Sequence, residues 1–132
     1  MRGKRTTLIL AAIGVLGVIL AFVVDSLAPD TWAHSVLLWV GSTALVLAFT
    51  HTWRQARKFV ILLLASAAGL ILFVYLHGVF YRLAEVSADV VAVSRVATSL
   101  EILSFLVAVL LCPAGILVGA AGAVWLRMFG GD

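Results

Sequence analysis

Four windows of the chain run without a single Lys, Arg, Asp or Glu: from Arg5 to Asp25, from Asp30 to Arg54, from Lys58 to Arg82 and from Glu101 to Arg127. Each is about the length that an α-helix needs to cross the roughly 30 Å hydrocarbon core of a bilayer, at a rise of about 1.5 Å per residue. The pattern predicts an all-α, integral membrane four-helix bundle, a single transmembrane domain over residues 1–132, with spans at about 6–24, 32–53, 59–81 and 102–126.

Between the third and fourth spans the pattern changes. Val79, Leu83, Val86, Val90, Val93, Ala97 and Leu100 recur at alternating four and three spacing, which places them on one stripe of a helix. Arg82, Glu85, Asp89 and Arg95 lie off that stripe, and Arg82 can pair with Glu85 across one turn. No Gly or Pro interrupts the chain between Gly78 and Pro113. An extracytoplasmic amphipathic helix over about 79–100 is expected, either lying in the interface or running straight on into span 4.

Composition narrows the possibilities further. The chain is 64% hydrophobic and 11% charged, with a mean hydropathy of +1.23, a balance that water does not keep in solution. Four spans use most of the 132 residues, so no extramembrane domain remains to hold a soluble catalytic core.

The basic residues orient the chain. Arg2, Lys4 and Arg5 precede span 1, Arg54, Arg57 and Lys58 fill the second connection, and Arg127 ends span 4, whereas Arg82 and Arg95 alone lie in the alternate connections. The bias of Lys and Arg toward cytoplasmic loops then places both termini in the cytoplasm, N-in and C-in. Compactness and short loops favour a prokaryotic cytoplasmic membrane. Membrane lipids are the expected partners of this basic edge, and nucleic acid is not. The first span also has the form of a secretory signal, but its apolar run from Leu8 to Val24 is long, and the one passable cleavage site, Ser26-Leu27-Ala28, is followed by Pro29, so a retained anchor is expected. Trp32 and Tyr81 near the outer rim, with Trp53 and Trp125 near the inner, agree with these boundaries.

Small residues mark candidate contact faces: Gly14, Gly17 and Ala21 in span 1, Gly41 to Thr43 in span 2, Ala65 to Gly69 in span 3, and Gly115, Gly119, Gly122 and Ala123 in span 4. Lipid supplies no hydrophobic drive between helices, so close backbone approach at such positions carries much of the attraction. They are read as packing sites within the bundle, the alternative being a homodimer through span 4. Pro113 lacks an N–H and crowds the carbonyl four residues earlier, which predicts a kink near Val109 to Cys112. Cys112 is the only cysteine, which excludes dithiol redox chemistry within the chain.

The histidines are the one constellation that reaches toward a cofactor. His34 and His77 fall near the outer ends of spans 2 and 3. Two facing imidazoles can ligate a haem b iron axially, and with Asp30, Glu85 or Glu101 they can make a zinc or copper site or a proton-linked pair. Interface anchoring is the simpler reading, so no cofactor is expected. His51, beside Trp53 and Arg54, reads the same way. Glu101 at the head of span 4 is the candidate polar site, as a helix-capping carboxylate or as a functional acid if it turns toward the two histidines.

No phosphate loop, HExxH or Gly-x-Ser-x-Gly motif occurs, and no two carboxylates share a depth inside a span. The expected role is a structural or accessory membrane subunit, or a self-assembling bundle, with no catalytic centre of its own. Its partners are then copies of itself or a larger membrane complex. A small dimeric channel or transporter is the alternative, with polar lining limited to Ser42, Thr43, Ser66 and Ser104. Haem or metal binding through His34 and His77 stands third.

Overall fold

A computed structural model describes residues 2–28 and 32–129. The chain is all-helical among these residues: α1 spans Arg2–Leu27, α2 Ala33–Thr50, α3 Ala56–Val86, α4 Val91–Leu106 and α5 Cys112–Phe129, with a π-helical turn at Val107–Leu111 joining the last two. Helices are the form that apolar windows of this length take in lipid, because each backbone N–H then finds its acceptor inside its own segment. Four stretches are long and apolar enough to cross a membrane: Lys4–Leu27, Ala33–Thr50, Ala56–Val86 and the continuous rod Val91–Phe129.

The helices pack in an order that their sequence order does not give. Helix α1 packs on α2 alone, α2 packs also on the π turn and α5, and the whole rod packs on α3. No Cα of α2 comes within 8 Å of one in α3, although only the connection His51 to Gln55 separates them. The lateral order is therefore α1, α2, rod, α3.

Small side chains hold these contacts. Ala21, Ala44, Ala48, Ala97, Ala108, Ala114 and Ala123 are buried, and no large side chain among the described residues is fully so. A Cβ built on Gly17 would stand 3.1 Å from the Gly41 Cα, and one on Gly41 would stand 2.9 Å from the Gly14 carbonyl oxygen. On the rod, Gly119 sits against the backbone of Phe59 and Leu63, Gly122 against the Phe59 ring and Gly115 against the Ser66 side chain. The glycine face of the rod is thus occupied by α3 of the same chain. Gly69 is in looser contact with Cys112, its Cβ position 3.4 Å from Sγ, while Gly78 has no neighbour within 4 Å.

The structure corrects the amphipathic segment. Residues 79–100 are not one helix, because α3 runs on to Val86, the chain reverses at Ser87 to Val90, and α4 starts at Val91. The Ser87 hydroxyl and N–H both donate to the Leu83 carbonyl, and the Val90 N–H donates to the Ser87 carbonyl at 2.9 Å, so the turn is closed by local bonds. The apolar stripe spans both arms of a hairpin: Leu83 on α3 faces a shallow apolar groove shared with Val93, Ala97 and Leu100 on α4. Arg82 and Glu85 form no ion pair among the described residues, nor does Glu101 with Arg82 or Arg95.

Pro113 acts through a π turn. The ring at Pro113 leaves the Val109 carbonyl without its usual donor, and the five residues before Cys112 widen so that the Cys112 N–H reaches the Val107 carbonyl five positions back. The disruption is spread over one wide turn that also touches α2 and α3.

Candidate functional site

Two histidine–carboxylate pairs lie where the paired helices approach their turns. In the first hairpin, the short connection between α1 and α2 brings Asp25 back toward His34, with Nδ1 of His34 at 3.9 Å from Oδ1 of Asp25. That distance is too long for a hydrogen bond, and the buried Nδ1 has no hydrogen-bond partner, while Nε2 is 3.2 Å from the Ser35 hydroxyl. In the second, antiparallel packing of α3 on α4 brings His77 to Glu101: Nδ1 is 3.4 Å from the Glu101 carbonyl oxygen and 3.8 Å from Oε1 of its side chain. The His77 ring also tilts against Phe105, with centroids 5.5 Å apart.

These are separate sites. His34 belongs to the α1–α2 pair and His77 to the α3–α4 pair, and α2 and α3 are not neighbours. The two imidazoles are therefore not brought together as axial haem ligands, and Glu101 meets His77 but not His34. Asp30, the other carboxylate considered for a metal site, lies outside the described residues. No group of three or more His, Cys, Asp or Glu side chains with metal-binding geometry occurs among the described residues. Each pair can form an ion pair when its histidine is protonated, and at such partly exposed positions the attraction is worth at most about 1 kcal/mol.

The remaining candidates are dispersed. His51 sits at the basic end, its Nδ1 donating to the Ala48 carbonyl at 3.0 Å and its Nε2 lying 3.4 Å from the Thr7 hydroxyl of α1, so it ties α2 to α1. Ser42 is buried and donates to the Leu38 carbonyl of its own helix at 2.7 Å. Ser66 lies in the contact between α3 and the rod, and Thr43 faces a groove between α2 and α5. The Asp25 partner of His34 was not singled out from the sequence. It was findable, since residues placed at similar distances on either side of a tight helical turn face each other.

What the site does share is a position relative to the length of the helices. At about 1.5 Å per residue, α4 is roughly 24 Å long, and it packs on α3 while touching neither α1 nor α2. The α3–α4 hairpin therefore forms an arm beyond the α1–α2 pair, with the His77–Glu101 contact at its base. No protein-family model, no curated protein and no solved structure matches this chain.

Proposed function

We propose that the protein is a structural or accessory membrane subunit, without a catalytic centre of its own, that joins its partners through the α3–α4 arm. In the proposed orientation both termini are cytoplasmic and the arm is extracytoplasmic. Counting from Lys58 at the basic edge, about 20 helical residues cross the hydrocarbon core and end near Gly78. Val79 to Val86 and the antiparallel stretch of α4 then stand beyond it, together with Arg82, Glu85, Asp89 and Arg95.

The observation that carries this reading is the apolar surface of that arm. Val86, Val91 and Val96 are 86%, 60% and 61% exposed, and Val90 at the tip is 54% exposed. Apolar surface beyond the lipid, covered by no other described residue of the chain, is what a docking subunit presents. The separation of the two histidine pairs weighs against joint haem ligation by His34 and His77, the third reading.

Native mass measurement of the protein, extracted from its own membranes in mild detergent, tests the proposal. A mass above the 14.0 kDa chain is expected, and it should fall to that of the single chain when Val86 and Val96 are both replaced by Asp. A single-chain mass for the unsubstituted protein would refute the proposal, as would a complex unaffected by the two substitutions.

A further inference from the structure

The failure of α2 and α3 to meet leaves a wedge at the basic end of the bundle, an open groove of about 560 Å³. Its walls are Leu47 on α2, Leu117, Val118 and Ala121 on α5, and Phe59 at the start of α3. The volume lies within the roughly 300–1,000 Å³ range of small-molecule sites. A small residue on α5 keeps it open: Ala121 is exposed at the groove, where a larger side chain would fill it.

Its mouth has a different chemistry. Arg54 and His51 lie at the opening, with Trp53 and Trp125. His51 is engaged with Ala48 and the Thr7 side chain, but the exposed Arg54 guanidinium has no hydrogen bond or ion pair among the described residues. Arg57, Lys58 and Arg127 carry further positive charge at the same end, whereas the described carboxylates, Asp25, Glu85, Asp89 and Glu101, all lie on or near the opposite turns. A slot with apolar walls, two interfacial indoles and an unpaired guanidinium at its lip is complementary to one kind of molecule: an apolar chain with an anionic head.

We infer that this groove binds an anionic phospholipid from the leaflet at the basic end, one acyl chain lying between α2 and α5 and the headgroup phosphate meeting Arg54. Arg presents a planar fork of N–H donors that matches phosphate oxygens, and its charge favours a headgroup of net negative charge over a zwitterionic one, whose own ammonium offsets the phosphate. The acyl chain fills a space that would otherwise leave its apolar lining without contact partners. The lipid thereby bridges α2 and α3, the two consecutive helices that do not pack.

The test uses the full chain, delipidated in detergent and reconstituted with phosphatidylglycerol or phosphatidylcholine brominated on the acyl chains. With Trp32 and Trp39 replaced by Phe, the remaining Trp53 and Trp125 line the groove and report acyl contact by loss of fluorescence. Half-maximal quenching is expected at about fivefold lower mole fraction of phosphatidylglycerol than of phosphatidylcholine, the scale of one basic side chain's attraction to an anionic headgroup. Arg54→Gln should remove most of that preference while leaving quenching by phosphatidylcholine in place. Ala121→Phe, which fills the slot and leaves every charge intact, should reduce quenching by both lipids. Far-UV circular dichroism and the position of thermal unfolding show that each variant is folded. Equal quenching by the two lipids in the unsubstituted protein overturns the inference, as does a preference undiminished by Arg54→Gln. Undiminished quenching in a folded Ala121→Phe variant overturns the placement of the acyl chain.

Discussion

Replacing Gly119 by Ala adds one methyl group at the tightest backbone contact in the bundle, and the structure sets the scale of the result. A Cβ there would lie 2.8 Å from the Leu63 nitrogen, 2.9 Å from the Phe59 carbonyl oxygen and 3.0 Å from the Leu63 Cα. Optimal separation between non-bonded carbons is about 3.5–4.0 Å, so α3 and α5 must part by about 0.5–1 Å, a gap that forfeits a quarter to a half of the attraction across the opened contact. All three atoms are backbone and none can rotate away. Overpacking of this kind costs about 1–3 kcal/mol. The substitution also brings a gain, because Ala is favoured over Gly in a helix by up to about 1 kcal/mol. Gly78 isolates that gain, since it lies in α3 with nothing within 4 Å of its Cβ position. The measurable quantity is the difference between Gly119→Ala and Gly78→Ala in reversible unfolding by SDS in mixed micelles, followed by far-UV circular dichroism. Gly119→Ala is expected to be the less stable by about 1–3 kcal/mol, with Gly78→Ala at or above the unsubstituted protein. Agreement of the two variants to within about 0.5 kcal/mol would refute the close approach of α5 to α3.

Further outcomes follow from the same geometry. Gly41→Ala should destabilise by a similar amount, about 1–3 kcal/mol in the same unfolding assay, because its Cβ would meet the Gly14 carbonyl oxygen at 2.9 Å and the Val18 nitrogen at 3.0 Å. Gly69→Ala, whose nearest contact is ordinary at 3.4 Å from the Cys112 Sγ, should be neutral or slightly stabilising. Glu101→Gln should couple to His77→Ala by no more than about 1 kcal/mol in a double-mutant cycle and add independently to His34→Ala, whereas coupling between Glu101 and His34 would contradict their separation. With Cys112 replaced by Ala, the pair Ser66→Cys and Gly115→Cys should form a disulfide in oxidised membranes once α3 and α5 part slightly, since their Cβ positions are 3.0 Å apart and a disulfide needs about 3.5–4.5 Å. The pair His34→Cys and His77→Cys should not, because no Cα of α2 comes within 8 Å of α3 and a disulfide needs Cα atoms within about 7 Å.

How much of this was legible in the sequence depends on what lipid penalises. A charge inside the hydrocarbon is expensive, so the windows free of Lys, Arg, Asp and Glu marked four helices to within a few residues of α1 and α2. Residues facing lipid and residues facing another helix are both apolar, however, so the sequence carried little information on which helix meets which. Glycine supplied the one usable contrast. Gly14, Gly17 and Gly41 meet across α1 and α2, and Gly115, Gly119 and Gly122 meet α3, yet nothing in their spacing named the partner helix, and Gly78 meets nothing. The facing imidazoles that a haem site at His34 and His77 needs fail at this point, because helices consecutive in the chain need not be neighbours in space.

The turn at Ser87 to Val90 was hidden for a related reason. A reversal is usually announced by Gly or Pro, and here it is made by Ser87 turning its hydroxyl back onto Leu83, with every φ on the negative side. The apolar stripe stayed periodic through the reversal because both arms of the hairpin face the same groove, so Leu83 and Leu100 kept a helical phase that belonged to two helices. Pro113 was the opposite case, a signal plainly visible whose result was a matter of geometry. Proline demands that the Val109 carbonyl lose its donor, and either a bend or a wider turn meets that demand. A sharp bend would swing α5 relative to α4, whereas the rod must keep Ala97 and Ala108 on one side of Pro113 buried along with Ala114 and Ala123 on the other. The π turn supplies the missing slack within five residues, and both halves of the rod still lie along α3.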